Sequence, residues 1–204
     1  MDLDPTTTAV LTMELQRGVC GDLSPLAALR DVVTESGAAL AAGALCTAAR
    51  QSGARVVHCT FSLRPDRIGS RFDLNLMAGA RRDPDYLLEG SDACAVLPEL
   101  GPEPGDLFCD RHHGISPFTG TSLDQMLRSL GITTVVATGV SLNVGIPGMC
   151  TEAVNLGYSV IVATDAVVGL PRAYGDEVLR NSLIAYTRLA STADISAALL
   201  APAG

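Results

Sequence analysis

Three places in the chain gather side chains that can move protons or hold charge. Glu14 follows the apolar run Thr8–Met13. A carboxylate just beyond a buried strand is a candidate acid or base, because partial desolvation brings carboxylates toward neutral pKa. The alternative is a loop carboxylate paired with Arg17. Arg111 and His112 stand together in DRHHGISPF; an imidazole exchanges protons near neutral pH, whereas a guanidinium keeps its proton and acts as fixed charge. Ser141–Gly145 (SLNVG) opens a helical stretch, where unpaired amide N–H groups attract negative charge. His58, inside RVVHCTF, reads instead as a satisfied core histidine. His112 and His113 are adjacent and point in different directions, so no compact metal site is expected there.

These groups need elements to position them. Thr8–Met13, Arg55–Phe61, Asp106–Cys109, Thr134–Thr138 and Tyr158–Ala163 are short apolar runs that read as strands, with a final one near Thr192. Helical stretches fall over about 26–52, interrupted near Ser36-Gly37, then 122–130 behind a Thr121 cap, 144–156 behind an Asn143 cap, and 173–189. The segment 62–105 is irregular and carries Arg64, Arg67, Arg71, Arg81 and Arg82. It reads as a pocket wall, a subunit contact or a solvated face. Alternating strands and helices specify an α/β fold: a mostly parallel, doubly wound sheet between two helical layers, forming one domain over 1–204.

Composition narrows the function classes. All 14 basic residues are arginine, no lysine occurs, and the net charge is −8. That balance disfavours nucleic acid as a partner. No apolar run reaches membrane-span length and the start MDLDPTTT lacks a signal-peptide pattern, so no membrane partner and a cytoplasmic location are expected. The six cysteines (Cys20, Cys46, Cys59, Cys94, Cys109, Cys150) show no metal-binding spacing and read mostly as small buried hydrophobes.

Four blocks, AVLTMELQ, SPFTGTSLDQMLRSLGI, VVATGVSLNVGIPGMCTEAVNLGY and DAVVG, resemble the isochorismatase-like hydrolases, also called cysteine hydrolases, over nearly the whole chain. The resemblance implies six parallel strands in the order 3-2-1-4-5-6, with Glu14 facing the Ser141–Gly145 turn across the switch point of the sheet. It also implies a homo-oligomer (dimer or tetramer); no cofactor or metal is expected. The family's amidases use an aspartate, a lysine and a cysteine. Here those positions hold Glu14, His112 (with Arg111 beside it) and Gly145. Cys150 lies five residues past Gly145, about 140° around the helix, and should face away. True isochorismatases in the family carry glycine at the nucleophile position and cleave a vinyl ether without a covalent intermediate.

The expectation is therefore an enzyme acting on a small, anionic metabolite by non-covalent acid–base chemistry, most simply hydrolysis of an ether, enol ether, imine or related bond. Glu14, His112 and Arg111 are the catalytic candidates. Gln16, Ser141, Asn143, Val144, Gly145, Phe118 and Arg64 are the candidate substrate contacts, with the Val144 and Gly145 amides holding negative charge. Elimination or isomerisation on the same scaffold is one alternative; a non-catalytic descendant that binds a ligand or partner is another.

Overall fold

The apolar runs form the strands of one sheet in the computed structural model, which describes residues 1–202. They are β1 Thr8–Met13, β2 Arg55–Phe61, β3 Leu107–Arg111, β4 Thr134–Val140, β5 Ser159–Val168 and β6 Arg188–Ala190. All neighbours pair in parallel, in the order β3-β2-β1-β4-β5-β6. The order reverses between β1 and β4, which opens a crevice at their carboxyl ends. The helices are α1 Arg17–Cys20, α2 Ala27–Ser36, α3 Ala38–Ser52, α4 Ala78–Arg82, α5 Leu123–Ser129, α6 Gly145–Asn155, α7 Arg172–Asn181 and α8 Thr192–Leu199.

Period-two alternation divides the strand side chains between two cores. Val10, Val56 and Val136 pack with Leu45 and Ala49 of α3 and Ile195 of α8. Leu11, Val57 and Val135 face the other way, onto Leu127 of α5, Met149 of α6 and Val178 of α7. Helices therefore cover both faces. The expected break near Ser36-Gly37 is present: Gly37 is left-handed (φ 70°), and α2 and α3 meet there at 59°. His58 is a satisfied core residue. Its Nδ1 lies 2.8 Å from Thr12 Oγ1 and its Nε2 3.2 Å from Asp106, which Arg50 also bonds at 2.8 and 3.0 Å.

Several expected boundaries move. β3 runs to Arg111 instead of ending at Cys109, which turns out to decide the site. The stretch expected as a helix over 173–189 is α7, a short 3-10 turn at Leu183–Ala185, and then β6. The strand expected near Thr192 ends at Ala190, and α8 follows, started by Ser191, whose hydroxyl accepts from the Asp194 amide. The segment 62–105 is irregular but anchored, with Leu63, Met77, Leu87, Val96 and Leu97 buried. Among the described residues no single helix is long and apolar enough to cross a membrane.

One glycine brings the two halves of the crevice together. Gly139 pairs with Met13 across β1 and β4, and a Cβ there would lie 2.1 Å from the Met13 carbonyl oxygen. Its φ of 108° also excludes most side chains. This close approach sets the end of β1 beside the turn after β4.

Candidate active site

The chain leaves β1 through Glu14, whose backbone is left-handed (φ 50°) and whose amide donates to the Cys59 carbonyl at 2.9 Å. Such a conformation in a non-glycine residue costs about 1–3 kcal/mol and persists where surrounding structure dictates it. The Glu14 carboxylate accepts a hydrogen bond from Arg111 Nη2. Arg111 reaches it because β3 alternates: Cys109 and Arg111 are buried, while Phe108 and Asp110 face outward. The Arg111 side chain is 4% exposed and that of Glu14 21%. The guanidinium lies over the Phe61 ring, 5.3 Å from its centroid, and makes longer contacts to the Thr60 and Ile115 carbonyls at 3.3 and 3.4 Å. Its Nε is buried without a partner. Arg17, the alternative partner of Glu14, pairs with Asp22 instead.

Across the crevice, the Ser141 carbonyl accepts from the Val144 amide at 3.2 Å and the Ile146 amide at 3.0 Å. The Val144 amide is therefore engaged, contrary to the expectation that it is free for an anion. The Gly145 amide has no acceptor among the described residues. Nor does the missing side chain at Gly145 leave open space: a Cβ would meet the Val140 carbonyl oxygen at 3.0 Å and Met13 Cε at 3.1 Å. The Met13 thioether fills that niche.

Two cavities meet at this place. An inner one of about 110 Å³ is lined by Glu14, Arg111 and Ser141 among apolar residues including Val19, Leu29 and Tyr86. An outer basin of about 890 Å³ is lined by His112, His113, Ser116, Thr119, Glu152 and Arg71 with Leu74, Ile115 and Pro147. Phe61, Leu76, Met77 and Gly114 border both, so the two are adjacent. The segment 62–105 supplies Leu76, Met77, Tyr86 and Leu87, and so forms the wall that its length implied.

The other candidates divide. Ser141 lines the inner cavity, and its hydroxyl has no partner within the described chain. His112 lies in the outer basin, with Nδ1 toward Ser62; no hydrogen bond joins it to Glu14. Gln16 is fully buried and committed to the backbone, donating to the Phe61 and Cys94 carbonyls and accepting from the Phe61 amide. It braces the wall and cannot touch a ligand. Asn143 does not cap α6; its side chain brackets Leu170, bonding both its N–H and its carbonyl. Phe118 is buried against Tyr158 in the α5–α6 core, and Arg64 is paired with Asp66 at the surface. Three of the other four loop arginines are engaged elsewhere: Arg71 pairs with Asp73, while Arg67 and Arg81 bond backbone carbonyls; Arg82 lines neither cavity. Sequence reasoning missed Phe61 and Met13, although their positions at the carboxyl ends of two central strands were a usable signal.

None of the six cysteines lines either cavity. Cys150 and Cys109 are buried in the α5–α6 core, away from Glu14. Burial pushes every thiol above its ordinary value, those of Cys20, Cys46 and Cys150 up to about 12. A thiolate nucleophile is disfavoured at each. Among the described residues no three His, Cys, Asp or Glu side chains gather as a metal-binding set.

Comparison with known proteins agrees with this architecture. A sequence model of the isochorismatase domain matches residues 8–194. Ureidoacrylate amidohydrolase RutB of Methylorubrum extorquens is 33% identical over 164 residues, 74% of this chain and 66% of the relative. The uncharacterized isochorismatase family protein YwoC of Bacillus subtilis is 38% identical over 77 residues, 38% of this chain and 40% of the relative. The chain thus spans less than two thirds of the length of these curated relatives. An isochorismatase family protein from Burkholderia thailandensis superposes with a TM-score of 0.75 at 27% identity, covering 98% of each chain. With sheet order, crevice and domain match in accord, this chain belongs to the isochorismatase family of hydrolases.

Proposed function

We propose that the chain hydrolyses a small molecule with water as the attacking group and Glu14 as the proton-transfer residue. One observation carries this reading: the Glu14–Arg111 pair faces a cavity that no thiol lines. Glu14 takes a proton from water as the water oxygen bonds to the electrophilic carbon. It then gives a proton to the leaving heteroatom as that carbon–heteroatom bond breaks, so one water is added overall. Arg111 holds the carboxylate in place and supplies fixed charge; a guanidinium does not exchange its proton at neutral pH. The Ser141 hydroxyl, which lines the inner cavity, is the group on hand to hold the water or the developing negative charge. Ethers and imines suit this chemistry because protonating the heteroatom is the main task; with an enol ether Glu14 first protonates the terminal vinyl carbon, water then adds to the oxocarbenium carbon, and the C–O bond breaks from the resulting hemiketal. The amide or ureido bond suggested by the amidohydrolase relative would have to yield to the same water-based step. The inner cavity favours an uncharged reacting group, since its one cation is already neutralised by Glu14.

A panel of vinyl ethers, imines, amides and ureido compounds assayed in labelled water tests this directly. Turnover with label in the product, a loss of about 100-fold or more in Glu14→Gln, and full activity after alkylation of accessible thiols are expected. Label-free product points to elimination or isomerisation, absence of turnover across the panel to a non-catalytic descendant, and undiminished Glu14→Gln activity removes Glu14 from the mechanism.

A further inference from the structure

The two cavities differ in size by enough to constrain the ligand's shape. The inner one, about 110 Å³, is smaller than the cavity of roughly 150 Å³ that holds a benzene ring. Only a head of a few atoms reaches Glu14; the rest of the molecule lies in the outer basin of about 890 Å³. What the tail carries is decided by polar atoms there whose bonds the protein leaves incomplete.

His112 offers such an atom, and its hydrogen-bond partners specify which kind. Its Nδ1 lies 3.1 Å from the Ser62 carbonyl oxygen and 3.3 Å from Ser62 Oγ. A carbonyl only accepts. The single hydrogen of Ser62 Oγ is committed to Asp110, which also accepts from Thr60 at 2.7 Å. Both neighbours therefore require a donor, as does the Asp110 carboxylate 3.9 Å away, so Nδ1 carries the hydrogen and the lone pair of the imidazole is at Nε2. Nε2 has no partner among the described residues and is not among the buried unpaired atoms, and the ring lines the basin. Ser70 donates to the His112 carbonyl at 2.5 Å, which holds the backbone as well. Of the basin's other ionisable groups, Glu152 accepts from Thr119 and Arg71 is paired with Asp73, while His113 has no hydrogen-bond partner among the described residues and, unlike His112, nothing that fixes its tautomer.

We propose that His112 is a specificity-determining residue whose Nε2 accepts a hydrogen bond from an N–H or O–H group on the substrate's tail. Asp110 and Ser62 are positioning residues that fix the ring's tautomer. The substrate class is thus a small hydrolysable head on a larger, partly apolar tail bearing a donor, and not a tail that ends in an anion. This rests on the reading above only in assigning both cavities to one substrate.

Benzyl alcohol, benzyl methyl ether and benzoate, titrated into the full chain while histidine ring nitrogens are followed by ¹H–¹⁵N NMR, provide the test. The free protein should show His112 as the Nδ1–H tautomer. The alcohol should shift Nε2 and bind about 2- to 12-fold more tightly than the ether, the worth of one net hydrogen bond. His112→Phe should abolish that preference and His112→Gln, whose amide oxygen accepts, should keep part of it. Ser62→Ala keeps the Ser62 carbonyl as the acceptor at Nδ1 and should leave Nδ1–H the major tautomer. An Nε2–H tautomer, equal binding of alcohol and ether, tighter binding of benzoate, or no saturable binding of any probe overturns the proposal. Glu14→Gln should keep the alcohol preference while losing turnover. If turnover instead survives, the acid–base reading fails and this one stands.

Discussion

Replacing Arg111 by Met tests the ion pair at the heart of the site. The substitution keeps an unbranched apolar stem but removes the guanidinium, leaving the Glu14 carboxylate facing a mostly apolar cavity. Breaking a buried pair by removing one partner costs about 3–5 kcal/mol. Glu14 retains 21% exposure, so water reaches it and the low end applies. Loss of the contact over Phe61 adds about 0.5–1 kcal/mol, and the long carbonyl contacts at 3.3 and 3.4 Å add little. In the other direction, the unpaired buried Nε disappears with the side chain, returning about 1 kcal/mol. The net expectation is about 3 kcal/mol of destabilisation, or a fall in Tm of roughly 6–12 °C for a domain of this size. Urea denaturation with an unchanged m-value measures it. Glu14→Gln combined with Arg111→Met should cost less than the two single changes added together, with a coupling energy of about 1–3 kcal/mol. A loss below about 0.5 kcal/mol, as at an ordinary surface site, or strict additivity would refute the claim that the pair is one buried unit.

Acid should loosen the fold in two steps that share one direction. Burial holds His58 below its ordinary value despite Asp106, so its contribution is complete above about pH 6.5 and is lost as pH falls below that toward its folded pKa. Burial alone would raise Asp106, but hydrogen bonds from Arg50, the Glu103 amide and His58 hold it below the ordinary carboxylate value; its contribution is lost as pH falls below about 3.9 through its folded pKa. Urea midpoints measured across pH should show both steps, and His58→Gln should flatten the upper one. Gly139→Ala should prevent folding or cost more than about 3 kcal/mol, because its Cβ would overlap the Met13 carbonyl. Gly157→Ala, left-handed but with open space around it, should cost only about 1–2 kcal/mol; denaturation of the two variants compares strain with collision. Disulfide-exchange reagents should label the five buried native thiols far more slowly than the urea-unfolded ones, and a fast-reacting native thiol other than half-buried Cys94 would contradict that burial.

How far the site could be read in advance depended on the range of the interactions involved. Glu14 was legible because an apolar run stops at it, and the helix break at Gly37 because glycine tolerates a left-handed backbone. The role of Arg111 was not. DLFC looked complete at Cys109, since charged residues rarely continue a buried strand. Arg111 is accommodated there by Glu14, a partner 97 residues away in sequence. Extending β3 by two residues then turns His112 toward the basin and leaves Arg111 in the crevice, reversing the roles that spacing alone implied. Gln16 and Asn143 misled for another reason: polar side chains beside a site are as useful for tying loop backbone as for binding ligand. The niche at Gly145 looked empty in the sequence because Met13, which fills it, lies on a different strand.

The central claim is that hydrolysis here needs no covalent enzyme intermediate. Its most direct test is acid-quenched, single-turnover mixing of the full chain with a hydrolysable substrate from the panel, followed by intact-protein mass spectrometry. The account predicts the mass of the free chain at every time point while product accumulates. An adduct that forms and decays at the rate of turnover, carried on any of the six cysteines, would contradict it.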